Sequence, residues 1–258
     1  MNSTTRFSKV LLSGFVVMVA VGFILTGGTA LFALDTNPSF MAKYEDLRDA
    51  VYNQNGDLNG TPSLYDTAIE AAEESSLPEE DRYYWMSRIE YMMGRAYQNL
   101  EQKKKADRHY EKGYQYIEQS AAGGDYSESW RMKSEIISQR CMVRGVGYIL
   151  GNGLNVNKYA EKALELNPDN GKAIIIIASS KVYPPPIYGG NPEKGLRLME
   201  EASEKPDVEK DDLFNIYSGY GVAYTKMEEY DKARFWFESA LMLYPDNAYV
   251  NEEYEKIR

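Results

Sequence analysis

The sequence predicts an all-α fold, in which antiparallel helix pairs form a right-handed superhelical array after an N-terminal apolar segment. Three observations support this prediction. Apolar and small residues recur at the i, i+3, i+4 and i+7 spacing of one helix face. The same arrangement of aromatic, glycine and alanine residues occurs more than once, and no segment alternates convincingly as a β-strand does. We therefore expect about five helix pairs and a closing helix over Ala248 to Lys256.

Residues 1–34 form the first predicted domain, a signal peptide or a transmembrane anchor. Val10 to Leu34 carries no charge, follows two basic residues, and is long enough to cross the roughly 30 Å hydrocarbon core as a helix. TGGTALFA, at its end, also resembles a signal-peptide cleavage site. A buried first helix is the third alternative. The basic flank favours an inside N-terminus, so we expect residues 35–258, the second domain, to be extracytoplasmic, in the periplasm or cell envelope.

The composition limits which reactions the protein could catalyse and which partners it could bind. The net charge is -10, which disfavours nucleic acid and anionic lipid as partners. The single cysteine, Cys141, cannot form an internal disulfide and is expected to be a small buried side chain. The single histidine, His109, is expected at the solvated surface, and one histidine offers little for a metal site or a catalytic triad. We therefore predict a protein that is not an enzyme and that uses no metal or cofactor.

The clearest repeat lies near the C-terminus, within residues 211–247. Its matching positions are four on a first helix, three on a second helix and one proline after the turn: Tyr217, Tyr220, Gly221, Tyr224, Ala233, Phe237, Ala240 and Pro245. This is the spacing of a tetratricopeptide repeat, a helix pair of about 34 residues. The glycine should let the second helix approach closely, and the proline should start the next element.

A second copy lies over residues 91–118. Its matching positions are Met93, Gly94, Tyr97, Ala106, Tyr110 and Gly113. Two partial copies follow, because residues 159–170 resemble residues 237–247, and residues 194–205 supply another second helix. The repeat-packing residues of both full copies should form the contacts within each helix pair.

Outside the repeats, we expect two helices at roughly residues 39–54 and 62–74, separated by the turn signal NQNGDLNG. A longer helix should run from Ser127 to Leu150 and end at the turn GNGLN. Gly147 and Gly151, near that end, are expected to allow close helix packing.

The segment YPPPIYGGN interrupts the helical pattern and supplies the candidate site. Its residues are Tyr183, Pro184, Pro185, Pro186, Ile187, Tyr188, Gly189, Gly190 and Asn191. The prolines should end the preceding helix and run extended, the glycines should reverse the chain, and the asparagine should cap the next helix. Such a stiff loop either bridges two distant helices or presents its aromatic side chains to a ligand channel or docking surface.

KALELNPDNGKA followed by PPPIYGGNPEKG resembles the T component of the tetratricopeptide-repeat-associated TRAP transporters, periplasmic helical proteins that partner a solute-binding protein. The diagnostic part spans residues 158–206, within a compatible helical array over residues 44–254. The resemblance implies a protomer that can form a homotrimer, with a channel that holds small hydrophobic organic acids for delivery to an importer. It also implies that residues 184–191 line this channel. Family members are often lipoproteins, whereas no cysteine stands near Ala33 here, so any membrane attachment would come from residues 10–34.

The second hypothesis is a membrane-anchored scaffold whose groove binds a peptide or an envelope protein. A channel predicts an enclosed apolar lumen near Tyr183 and Tyr188. A scaffold predicts an open concave face that is lined by polar side chains of the first helices.

Overall fold

The structure, a computed structural model, describes residues 38–258, and in this part of the chain all regular secondary structure is helical. The predicted anchor or signal peptide lies outside the described residues. None of the described helices is both long and apolar enough to cross a membrane. The helices are α1 (Pro38–Tyr52), α2 (Thr61–Glu73), α3 (Glu79–Asn99), α4 (Lys103–Ala122), α5 (Ser127–Arg144), α6 (Val146–Leu166), α7 (Gly171–Val182), α8 (Pro192–Ser203), α9 (Lys210–Lys226), α10 (Tyr230–Leu243) and α11 (Ala248–Glu255).

The helices pack as five pairs and a closing helix, which confirms the predicted all-α repeat architecture for the described residues. The pairs are α1 with α2, α3 with α4, α5 with α6, α7 with α8, and α9 with α10, while α11 packs on α10. The first helices of neighbouring pairs, α1, α3, α5, α7 and α9, also contact one another in that order. Together they form one continuous surface, which we call the first-helix face.

Two glycines set the distance between paired helices. A Cβ atom at Gly94 would lie 2.4 Å from the ring of Tyr110, and one at Gly221 would lie 2.4 Å from the ring of Phe237. Both rings are fully buried. Because each ring occupies the space that a side chain would need, the second helix of each pair lies directly on the backbone of the first. The remaining repeat positions are buried at Ala106, Ala233, Ala240 and Tyr220 and half-buried at Tyr97, Tyr217 and Tyr224.

The α5–α6 pair departs from the prediction. The helix expected to reach Leu150 ends at Arg144, and GNGLN, expected to be a turn, lies inside α6. The chain breaks instead at Gly145, whose φ of 74° is rarely adopted by residues with a side chain. Close packing at Gly147 and Gly151 was also a wrong expectation, because nothing lies within 4 Å of either Cβ position. Glycine weakens a helix without forbidding it, so turn-like composition alone misplaced the break.

Asparagine side chains begin α7 and α11 in the same way. The Oδ1 atom of Asn170 accepts a hydrogen bond from the amide of Ala173 at 2.9 Å, and that of Asn247 accepts from the amide of Val250 at 3.0 Å. We expected Pro245 to begin the next helix. It lies instead in the turn before the cap, and α11 begins at Ala248. The asparagine cap begins the helix because its side chain satisfies an amide that has no partner within the first turn.

The C-terminal end of α1 contacts the last helices, so the first and last helix pairs meet. The Nδ2 atom of Asn247 donates to the carbonyl oxygen of Tyr52 at 2.6 Å, and the amide of Asp246 donates to Oδ1 of Asn53 at 2.8 Å. The ring of Tyr52 stacks on that of Tyr244 with centroids 5.1 Å apart. The first-helix face is therefore closed across this contact and does not form a groove that is open along its whole length.

Candidate ligand-binding site on the first-helix face

At the N-terminal ends of α5, α7 and α9, and beside the middle of α3 and the last two turns of α1, the face is filled by charged side chains, which we call the ion layer. Its members are Arg48, Arg88, Glu128, Arg131, Lys172, Glu209, Asp211 and Asp212. Nη2 of Arg88, on α3, donates to Oε2 of Glu209 at 3.0 Å, and Nζ of Lys172, on α7, lies 3.2 Å from the same oxygen. Arg48, on α1, lies 3.7 Å from Asp211, on α9. The ion layer therefore joins four first helices through side chains.

The same layer reaches α5 through Glu128. Its carboxylate accepts hydrogen bonds from the hydroxyl of Tyr84 at 2.6 Å, from Nη2 of Arg131 at 2.9 Å and from Nδ2 of Asn170 at 2.7 Å. Burial acts to raise the pKa of Glu128, but Arg131 and Lys172 outweigh it and hold the pKa well below its usual range. Glu128 is therefore a charged, fully bonded structural contact.

Two carboxyls of the ion layer differ in the sign of their pKa shift. Burial acts to raise the pKa of Glu209, but Arg88 and Lys172 outweigh it and lower the pKa to about 2. Burial and the neighbouring Asp211 raise the pKa of Asp212 to about 8. Carboxylate oxygens of Glu209, Asp211 and Asp212 lie within 4.8 Å of one another. Within residues 38–258 this is the one group of three acidic, histidine or cysteine side chains close enough to share a metal ion. Arg88 and Lys172 pair with Glu209 and Arg48 pairs with Asp211, so these acidic residues take part in ion pairs between the first helices.

Further along the first helices, towards their C-terminal ends, the face becomes a hollow that we call the recess. Its residues are Tyr52, Tyr91, Arg95, Tyr183, Tyr249 and Glu253. Arg95 follows Arg88 by two helical turns, roughly 10 Å along α3. The guanidinium carbon of Arg95 lies 5.3 Å from the ring centroid of Tyr52 and 5.9 Å from that of Tyr91. Its Nη1 atom donates to the hydroxyl of Tyr91 at 3.2 Å.

Two half-exposed tyrosines indicate that this surface is concave. Tyr183, at the end of α7, keeps 42% of its surface exposed, yet burial raises the pKa of its hydroxyl to about 12. Arg95 opposes that pKa shift and Glu253 adds to it, so α3 and α11 both face this hydroxyl. Tyr249, on α11, is 45% exposed, and burial together with Tyr183 raises the pKa of its hydroxyl. Side chains that water reaches but that protein atoms surround lie in a hollow.

The proline loop is held in place by Lys226 of α9. Its Nζ atom donates to the carbonyl oxygens of Val182, Tyr183 and Pro184 at 2.7, 2.6 and 3.2 Å. A Cβ atom at Gly190 would lie 2.0 Å from the carbonyl oxygen of Pro184, so this position accepts only glycine. These contacts connect the loop to α9, and the sequence did not predict the role of this lysine.

The residues of the candidate loop have different environments. Asn191 caps α8 by accepting from the amide of Lys194 at 2.9 Å. The prolines do not all run extended, because Pro186–Tyr188 form a single 3₁₀ turn, which needs only the φ that proline already has. Ile187 and Tyr188 are 83% and 78% exposed at the tip of the loop. The structure brings Tyr183 together with the recess and leaves the loop tip in solvent.

An enclosed apolar lumen, which the channel hypothesis requires, is not found near Tyr183 and Tyr188 in the described residues. The hollow there is open to solvent and contains the charges of Arg95 and Glu253. Two depressions lie elsewhere, one of about 440 Å³ over residues 228–234 and one of about 260 Å³ between α6, α7 and α8. Neither contains a residue of the candidate loop.

His109 is not the solvated surface residue that the sequence suggested. Its Nδ1 atom lies 2.7 Å from Oε2 of Glu90, and its ring stacks on that of Tyr97. Glu90 is fully buried and also accepts from the hydroxyl of Tyr65 at 2.7 Å and from Nζ of Lys112 at 2.6 Å. The expectation failed because the buried Glu90, 19 residues away in sequence, holds both His109 and Lys112 against α3. This cluster joins α2 to the α3–α4 pair. Cys141 is buried, as expected.

Two segments of the chain match family models described as tetratricopeptide repeat, residues 88–119 and residues 214–247. These segments coincide with most of α3–α4 and α9–α10. Comparison with curated protein sequences gave no match. The chain therefore contains two tetratricopeptide repeats, and both lie within the array of helix pairs.

Comparison with solved structures supports the helical fold. The HusA haemophore from Porphyromonas gingivalis is 20% identical over 69% of this chain and 81% of its own, with a TM-score of 0.50. TTC0263, a thermophilic TPR protein in Thermus thermophilus, is 16% identical over 77% of this chain and 89% of its own, with a TM-score of 0.45. YrrB, a TPR protein with an unusual peptide-binding site, is 16% identical over 84% of this chain and 98% of its own, with a TM-score of 0.36.

Proposed function

We propose that this protein is a non-enzymatic, extracytoplasmic binding protein that holds a small hydrophobic or organic-acid ligand in the recess. In the same proposal it acts as an accessory component of TRAP-type solute uptake and partners a solute-binding protein. The uptake role rests on the resemblance of residues 158–206 to the T component of TRAP transporters. The extracytoplasmic location rests on the apolar segment over residues 10–34.

One observation carries the small-ligand part of the proposal. The ion layer fills one end of the first-helix face, and the contact between Tyr52 and Asn247 closes the face at the other side. An extended peptide needs an unobstructed path along several repeats. The recess instead offers a short hollow with tyrosine walls and the charged groups of Arg95 and Glu253, which suits a compact ligand with one polar end. The ligand is thus held in an open recess and not in a lumen that runs through the protein.

A scaffold that binds a peptide or envelope protein is the second candidate. The recess is open and carries polar side chains of the first helices, as a scaffold requires. Tetratricopeptide repeats commonly serve as protein-binding surfaces, and Ile187 and Tyr188 are exposed at the loop tip. Under this alternative, the loop tip and the rim of the recess would contact the partner protein.

Native mass spectrometry of the full chain, purified as expressed and without added ligand, tests the proposal. We expect a small organic molecule bound to the wild-type chain and lost from the Tyr183→Ala and Tyr249→Ala variants. Ile187→Ala, at the exposed tip, is the matched control and should keep the molecule. The same spectra report the number of copies, for which the resemblance implies three. An empty chain that instead retains a peptide in the wild type and loses it in Ile187→Ala would favour the scaffold.

A further inference from the structure

Arg95 is the arginine of the first-helix face that has no acidic partner. The four buried arginines, Arg48, Arg88, Arg131 and Arg140, each have a carboxylate within 4.0 Å. No carboxylate of residues 38–258 lies that close to Arg95, and its one hydrogen bond is to the hydroxyl of Tyr91. A guanidinium carries five N–H donors. Most donors of Arg95 are therefore left for water or for a ligand that enters the recess.

A half-buried cation without a counter-ion is expensive to keep. Removing a charge from water is unfavourable unless a partner compensates for the lost hydration. The aromatic rings of Tyr52 and Tyr91 offset part of this cost by cation–π contact. These ring contacts and the hydrogen bond to Tyr91 position the guanidinium beside the two tyrosines. Such a pre-positioned planar donor group matches a planar carboxylate, which can accept two parallel hydrogen bonds.

The acidic groups around the recess limit the charge of that ligand. Glu253 faces the recess from α11 and bonds to Lys256 at 2.7 Å, while Glu135 faces it from α5 and pairs with Arg131. Both carboxyl groups have basic partners and lie close enough to the recess to raise the pKa of Tyr183 or Tyr91. A ligand with one negative charge can use Arg95, whereas a second negative charge would meet repulsion from these groups.

We propose that Arg95 binds the carboxylate of a small monocarboxylic acid whose aromatic or aliphatic body lies against Tyr183 and Tyr249. This inference rests on the proposed function, because it names the residue that recognises the acid group and the class of acid. The tyrosine faces supply apolar contact and their hydroxyls stay at the wet rim. A free carboxylate at the C-terminus of a peptide has the same chemistry, and the closed first-helix face favours the small acid.

The test compares acids with their uncharged amides. Binding of phenylacetate, octanoate and acetate, and of phenylacetamide and octanamide, would be measured by calorimetry and by ligand-observed NMR on the full chain. We expect the wild-type chain to bind phenylacetate or octanoate at least about tenfold more tightly than the matching amide, as a charge-assisted pair of hydrogen bonds implies. Arg95→Gln should remove this preference, while Arg82→Gln, elsewhere on α3, should leave it intact.

Each of the other possible results contradicts one part of the proposal. An acid preference that survives in Arg95→Gln overturns the role of Arg95 and leaves the proposed function standing. Equal binding of acid and amide by the wild type overturns the proposed recognition of a carboxylate, but it is consistent with a protein that binds a small ligand. If no probe binds at about 10 mM, yet a co-purified molecule is lost from Tyr183→Ala and kept by Arg95→Gln, the inference fails alone. If neither probe nor co-purified molecule binds, both fail. Tighter binding of a free-acid pentapeptide than of every small acid overturns the small-molecule class in favour of the scaffold.

Discussion

Arg88 and Arg95 lie two turns apart on the same face of α3, and their surroundings differ in one respect. Both guanidinium groups lie over aromatic rings, Arg88 at 4.7 Å from Tyr44 and Arg95 at 5.3 Å from Tyr52. Arg88 also bonds to Glu209 at 3.0 Å, whereas Arg95 has no carboxylate of residues 38–258 within 4.0 Å. One end of the first-helix face is therefore internally neutralised, and the other presents an unneutralised cation to solvent.

This difference separates stability from binding within a single helix face. A charge that has a partner inside the protein contributes to holding the helices together and has little left to offer a ligand. A charge without one costs stability and keeps its capacity for a ligand, a pattern typical of binding sites. The comparison therefore predicts opposite consequences when each arginine is replaced by methionine, which keeps the apolar stem and removes the charge.

The largest effect is expected for Arg88→Met. The change leaves Glu209 with Lys172 as its remaining cation and removes the contact over Tyr44. Breaking a buried pair by removing one partner typically costs about 3 kcal/mol or more of unfolding free energy. Urea unfolding followed by circular dichroism measures it, with Arg197→Met on α8, an exposed arginine, as the control. A loss below about 1 kcal/mol would show that the ion layer is not a structural contact.

The next largest effect is expected at the proline loop beside the recess. Lys226→Met removes three hydrogen bonds to the carbonyl oxygens of the proline loop, each worth about 1 kcal/mol. We expect faster hydrogen exchange at the amides of residues 187–191, with the amides of α3 unchanged. Lys232→Met, on α10, is the matched control because its ion pair with Glu229 is exposed. Faster exchange throughout α7 and α9 would mean that the loop and the helix pairs unfold as one unit.

The architecture followed from the sequence because tetratricopeptide positions are local. Gly221 and Phe237 meet within one helix pair, so a spacing along the chain is enough to predict their contact. GNGLN misled because Gly151 and Gly153 lie inside α6, where glycine costs about 1 kcal/mol relative to alanine but does not end the helix.

The content of the first-helix face did not follow from the sequence. Arg88 and Glu209 are separated by 121 positions, and neither belongs to the repeat template. Only the fold brings them together, so the sequence could not show which arginine has a partner. One signal was present: Arg88 and Arg95 stand seven residues apart, on one face of a helix otherwise rich in tyrosine and methionine. This spacing predicts that both arginines lie on one helix face, but it does not predict that only Arg88 has an acidic partner.

A smaller effect depends on pH and involves the ion layer. Burial and Asp211 raise the pKa of Asp212 from 3.8 to about 8, so the folded protein favours its neutral form. The contribution of Asp212 to stability is therefore present below about pH 4 and is lost as the pH rises towards 8. Asp212→Asn stays neutral and can still accept the amide hydrogen of Glu209.

We expect the melting temperature of Asp212→Asn, relative to wild type, to be higher at pH 8 than at pH 5. Asp66→Asn, exposed on α2, should show no such change. Glu209 acts in the opposite direction, because its contribution is present above pH 4.5 and is lost as the pH falls towards its pKa of about 2. A difference between Asp212→Asn and wild type that stays constant with pH would show that Asp212 is ionised in the folded protein.

The smallest effect on stability is expected for Arg95→Met, and it is the most informative. Removing an unpaired charge leaves no carboxylate without a partner, so the unfolding free energy should change by less than about 1 kcal/mol and can increase. Urea unfolding beside Arg88→Met measures this directly and needs no knowledge of the ligand. A loss as large as that of Arg88→Met would make Arg95 a structural residue, and the two ends of the face would then be equivalent. A stable variant that still prefers phenylacetate over phenylacetamide would leave Arg95 with neither role, and the cation that recognises the acid would have to lie elsewhere on the rim.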